Sequence, residues 1–132
     1  MDIERLAAVE GLTIRTRAMP SHLLGAWDPG TESIWVQAGL TQAARRCVIA
    51  HELEHARAGH AMPQPGYVER LVDERAARLL ITPEAYARAE RIVGHHTFAL
   101  AAELDVIPRF IDAWRRSYAR LGQETGAHKR AV

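Results

Sequence analysis

The stretch from Thr41 to Gly59 constrains this chain more than any other. Thr41 is an N-cap residue type, Gln42 to Ala58 keep a helical period, and Gly59 is a stop signal. Inside that helix Cys47-Val48-Ile49-Ala50 are apolar all the way round the turn, so the helix must be buried there. The next five residues are His51-Glu52-Leu53-Glu54-His55. Side chains four apart on a helix project in nearly the same direction, so two imidazoles at that spacing can grip one ion. Sequence alone therefore predicts a central helix that ends in a metal-binding face.

His-Glu-x-x-His is a zinc pattern with a chemical logic. Zinc accepts neutral imidazole nitrogen, and a catalytic site needs a third protein ligand and one open position. Glu52 lies about a quarter-turn round the helix from His51, off the ligand line and suited to take a proton from the attacking water and pass it to the leaving amine. Carboxylates for the third position come from the next predicted helix, Tyr67 to Ile81. Glu69 and Glu74 are the two main choices, with Asp73 beside them. Glu69 is preferred, because Asp73 follows one turn later on the same face and can hydrogen-bond the distal nitrogen of a ligand histidine. Glu74 is followed at that spacing by Arg78, the pattern of an exposed ion pair. His60 follows Gly59 directly, and a third-histidine motif needs a longer spacing, so His60 is expected near the last helical carbonyls and outside the ligand set. Cys47 reads as a small buried hydrophobe. For a donor to an oxyanion the sequence offers Tyr67 and His95 first, with His96 and His22 beside them.

The remaining composition narrows the setting. With 132 residues and 48% apolar side chains, the chain can bury one real core without staples. The formal charge of +1 supplies no global pull toward nucleic acid or membrane. One cysteine excludes an internal disulfide framework and fits a reducing, cytoplasmic compartment. Met1 to Leu12 holds Asp2, Glu4 and Glu10 and no apolar run, so no secretory leader is expected, and no stretch is apolar enough to span a bilayer.

Upstream of the central helix, a short helix ends at Gly11, Leu12 to Ala18 alternates like a strand, and Leu23–Trp27 and Ser33–Gln37 flank the turn Asp28-Pro29-Gly30 as a hairpin. Downstream, Thr82-Pro83 starts a helix that Gly94 ends. Thr97 to Leu104 and Pro108 to Leu121 are two more, and residues 122–132 are polar and read as a flexible tail. A single domain is expected, with residues 1–40 giving a helix and strands, 41–81 two metal-binding helices, and 82–121 the C-terminal helices.

Ile49-Ala50-His51-Glu52-Leu53-Glu54-His55, followed by Glu69-x-x-x-Asp73-x-x-Ala76-Ala77-x-Leu79-Leu80-Ile81-x-Pro83, resembles the ImmA/IrrE family of small zinc metallopeptidases. The register of the resemblance puts Glu69 on the family's third ligand and Asp73 on its Asn position, and the set is also similar to the thermolysin type. It departs at Glu54, where the family has Gly, at Val72, where it has Ala, and at Thr82, which lengthens the Leu-Leu-Met-Pro signature by one. The resemblance implies an α+β, zincin-like minimal metallopeptidase domain, with a small three-stranded antiparallel sheet packed on a helical majority and one Zn2+ on His51, His55 and Glu69. It also implies regulatory cleavage of a partner protein, a helix-turn-helix transcriptional repressor, in a prophage, mobile-element or stress setting. The alternative is a non-catalytic module that binds the repressor and carries a structural or vestigial metal site.

Phe98 to Trp114 also resembles a helix-turn-helix, with Arg109, Arg115, Arg116 and Arg120 on its second helix. From Thr97 on, six Lys/Arg stand against four Asp/Glu, an excess too small for strong phosphate binding. A helical hairpin over the core, open to a protein partner, is the preferred reading of this segment.

Overall fold

A computed structural model describes the backbone of residues 2–131 and the side chains of residues 2–122. Past Gly122, the expected flexible tail lies outside the described side chains. Along the chain run α1 (Ile3–Val9), β1 (Thr13–Arg17), β2 (Gly25–Asp28), β3 (Ser33–Gln37), α2 (Gln42–Ala58), α3 (Gly66–Leu80), α4 (Pro83–Val93), α5 (Thr97–Leu104) and α6 (Pro108–Ala131). The class is α+β, and α6 carries on past Leu121, where the sequence pattern ends.

The three strands form one sheet in the order β1-β3-β2. β2 and β3 make the expected antiparallel hairpin, Gly25 opposite Val36 and Asp28 opposite Ser33. Asp28 closes the turn, accepting from Gly30 N at 3.0 Å and Thr31 Oγ1 at 2.8 Å. The sheet is not all antiparallel, however: β1 pairs parallel to β3, Thr13 opposite Ser33 through Arg17 opposite Gln37. Residues 18–24 carry the chain across the end of β3 before β2 turns back, so β1 and β3 point the same way. Alternation of apolar residues reports which face is buried and is silent on strand direction. Gln37 fastens the crossing segment, donating from Nε2 to the carbonyls of Met19 (2.8 Å) and Leu23 (3.0 Å) and accepting from Met19 N (2.8 Å).

α2 is the centre of the molecule. Its N-cap is Thr41, whose Oγ1 accepts from Ala44 N at 3.1 Å, and its end is Gly59 at φ 74°, a left-handed conformation that glycine adopts without strain. Cys47, Val48, Ile49, Ala50 and Leu53 are all buried, because one side of α2 meets the sheet and another meets α3. Ile34 and Val36 come from β3, Ala76 and Ala77 from α3, and Leu100, Phe110 and Ile111 from α5 and α6 to complete a continuous core. Trp114 locks α6 to the α3–α4 turn: its indole N–H donates to Ile81 O at 3.1 Å, and its ring stacks between Tyr86 and Tyr118.

Candidate metal centre

α2 and α3 pack side by side, and their facing stripes bring His51, His55 and Glu69 together. His51 Nε2 lies 3.2 Å from His55 Nε2, and each lies 3.0 Å from Glu69 Oε2. Donor atoms round a tetrahedral ion with bonds of about 2.0–2.1 Å sit roughly 3.3 Å apart, so the triangle has the size such an ion requires. This trio can hold a metal ion, and it has three members among the described residues.

The second nitrogens are also engaged. His51 Nδ1 lies 2.7 Å from Asp73 Oδ1, one turn along α3 from Glu69. Asp73 is buried and is held in turn by Arg109 of α6, whose Nε lies 3.1 Å from Oδ2. Three helices thus contribute to the orientation of one imidazole. Burial pushes the His51 pKa down, but the hydrogen bond that its Nδ1–H donates to Asp73 and the charges of Glu52, Asp73 and Glu69 outweigh it and leave it raised. Burial lifts the Glu52 carboxyl to about 7; nearby His51 opposes that rise and Glu69 reinforces it. Near that value one carboxyl can both take up and release a proton in neutral solution.

Glu74, the other carboxylate suggested as third ligand, points elsewhere. It lies about 140° round the helix from Glu69, as five residues at 100° each dictate. Instead of an exposed pair with Arg78, it is buried at 3% exposure and bonded to Arg120 Nη1 (2.9 Å) and Arg116 Nε (3.5 Å) of α6. Glu54, the carboxylate that stands where the resembling family has Gly, turns away from the trio to Arg57 Nη1 at 3.0 Å. Cys47 is buried, with Ile107 N–H donating to its sulfur at 3.4 Å.

Two hollows meet at His51, Glu52 and Glu69. One, about 310 Å³, is bounded by His22, Leu24, Val48, Asp73 and Arg109. The other, about 390 Å³, is bounded by Trp27, His55, His60, Met62 and Pro63. Leu23 and Gly25 belong to both, so β2 and the segment before it form the wall over the trio. The expected oxyanion donors are not in that wall. His95 sits in the α4–α5 turn, bonded to Glu90 at 2.7 Å and almost fully exposed, while Tyr67 is 64% exposed and borders neither hollow. His22, from the weaker pair, does border one. Arg109 has no spacing signal in the sequence that marks it as a site residue, because its partner Asp73 is 36 residues away in the chain.

The four arginines on the second helix of the helix-turn-helix-like segment all bond within the molecule. Arg109 holds Asp73; Arg116 and Arg120 hold Glu74; Arg115 donates to Tyr86 Oη at 2.8 Å and Thr97 Oγ1 at 2.9 Å. No described helix is long and apolar enough to cross a membrane. No known protein-family model matches the chain, and no curated protein matches it.

Proposed function

We propose that the chain is a zinc-dependent peptidase in which His51, His55 and Glu69 hold the ion and Glu52 moves the proton. The observation that carries this reading is the three-atom triangle with 3.0–3.2 Å edges, set beside a carboxyl in an open cleft. A zinc ion held there would polarise a peptide carbonyl and make water a better nucleophile. Glu52, one residue from His51, would take the proton from the attacking water and deliver it to the departing amine as the C–N bond breaks. Asp73 and Arg109 keep His51 in the orientation its Nε2 requires. Arg109 and His22 border the cleft and replace Tyr67 and His95 as the groups suited to hold a developing oxyanion.

The peptide itself has a supporting surface. Among the described residues β2 pairs with β3 on one side only, and it crosses α2 so closely that a Cβ on Gly25 would lie 3.4 Å from Glu52 Cγ. An extended peptide added to that free edge would run past Glu52. The resemblance to ImmA/IrrE peptidases supports reading the substrate as a dedicated partner protein, a helix-turn-helix repressor, and the cleft's modest size suits a partner recognised partly outside it.

The test pairs metal content with cleavage. Wild type should hold one zinc per chain and cut a quenched-fluorescent peptide library, and Glu69→Ala should lose the ion. Glu52→Gln should keep the ion and lose at least about 100-fold in rate. A wild-type chain that binds no divalent metal would end the proposal, as would full activity in Glu52→Gln.

A further inference from the structure

His51 and His55 are supported by different chemistry on their second nitrogens. His51 has a carboxylate, and His55 has another imidazole: His55 Nδ1 lies 2.9 Å from His60 Nδ1, with the rings inclined at 61°. We propose that His60 is a positioning residue that fixes the tautomer and ring orientation of His55 for the metal. This rests on the reading that the trio binds an ion.

Two nitrogens at hydrogen-bond distance share one proton between them. For His55 to offer its Nε2 lone pair to an ion, its own proton must be on Nδ1. His55 Nδ1–H then donates, His60 Nδ1 accepts, and the His60 proton is left on Nε2. One hydrogen bond sets both rings.

The backbone explains how His60 reaches that place. Gly59 at φ 74° reverses the chain at the end of α2, and His60 N donates back to His55 O at 3.0 Å. The residue that follows the helix is thereby folded over the last turn, with its ring against the buried His55 ring. Any other residue at 59 would strain that reversal. The contact is on the nitrogen of His55 remote from His51 and Glu69, so the geometry gives His60 a supporting place, distinct from that of a fourth ligand. Ala61, Met62 and Pro63 continue from it along the larger hollow.

The experiment measures Zn2+ affinity by chelator competition in wild type, His60→Ala and His60→Asn, beside the visible spectrum of each with Co2+. Removal of a partner that orients a ligand typically costs 10- to 100-fold in metal affinity. His60→Ala should lose about that much. His60→Asn, whose Oδ1 can accept in the place of Nδ1, should recover most of it, which a merely space-filling role would not produce. Both should give the wild-type Co2+ spectrum at saturation, since no ligand is lost. A long-range 1H–15N spectrum of the zinc-loaded wild type should show the His55 proton on Nδ1, a readout independent of how the variants fold. Unchanged affinity in His60→Ala, equal losses in both variants, an altered Co2+ spectrum, or a proton elsewhere on His55 would each overturn the proposal. If wild type binds no Zn2+, the metal reading fails and this falls with it; if wild type binds and His60→Ala binds as tightly, this alone fails.

Discussion

Asp73 and Glu54, buried close to the trio, each have an assigned partner, and the partner explains the orientation. Asp73 is drawn to His51 on one side and Arg109 on the other, and Glu54 to Arg57, so two carboxylates close to the ligands in sequence take no ligand place. Cys47 has the opposite character. It is one turn before His51 on α2, but burial pushes its thiol up to about 11, with the Ile107 N–H pulling weakly the other way. At pH 8 only about one molecule in a thousand would carry the thiolate. Iodoacetamide should therefore label the native chain far more slowly than the urea-unfolded chain, by mass spectrometry over time. Rapid labelling of the native protein would contradict the burial.

At the scale of elements, the site depends on how closely β2 crosses α2. Gly25 is the point of contact: an added Cβ would fall 2.4 Å from Val48 Cγ1 and 3.1 Å from the carbonyl oxygen of Trp35. The Val48 side chain can turn, but the Trp35 oxygen belongs to the β2–β3 ladder and cannot yield cheaply. Gly25→Ala should lift β2 from α2, with a loss of roughly 1–3 kcal/mol typical of overpacking. Urea unfolding would measure that loss, and peptide cleavage should fall further than stability because the edge strand moves away from Glu52. Unaltered stability would show that the strand can shift without cost. The element boundaries themselves follow from local chemistry: Thr41 and Thr82 cap α2 and α4 with their hydroxyls, and Pro83 opens α4.

Over the whole molecule, ion pairs tie the ends of the chain to the centre. Arg57 at the end of α2 reaches Glu10 after α1, its Nε 2.9 Å from Glu10 Oε1, while Glu54 holds its other side. That guanidinium keeps the Glu10 pKa below the ordinary 4.5. A carboxyl with a lowered folded pKa stabilises the fold above its unfolded value and loses that contribution as the pH drops through the folded one. Glu10→Gln should thus be slightly less stable than wild type at pH 7, by less than about 1 kcal/mol because solvent screens the pair. The gap should close once the pH is well below 4.5. Denaturation midpoints at pH 7 and pH 3 would check this, and a gap that persists at pH 3 would refute it. On the far side of the molecule α6 is anchored by its arginines to Asp73 and Glu74, which places it as a brace behind α3.

Sequence by itself determined whatever depends on spacing along one helix. His51, Glu52 and His55 share a turn of α2 because of the 3.6-residue period, and Glu69 with Asp73 share a face of α3 for the same reason. The apolar run at 47–50 required a central helix, and the hairpin at 28–30 was written in its turn residues. Tertiary structure decided everything that depends on two segments remote in the chain. The parallel pairing of β1 with β3 follows from where the 18–24 segment crosses, and alternation carries no information about direction. The turning of Glu74 to α6, the placing of Arg109 on Asp73 and the removal of His95 from the site all depend on which helix packs on which. His60 lies between the two cases: its glycine turn is local and legible, but the meeting of its ring with His55 needed the reversal of the backbone at Gly59 to be seen in three dimensions.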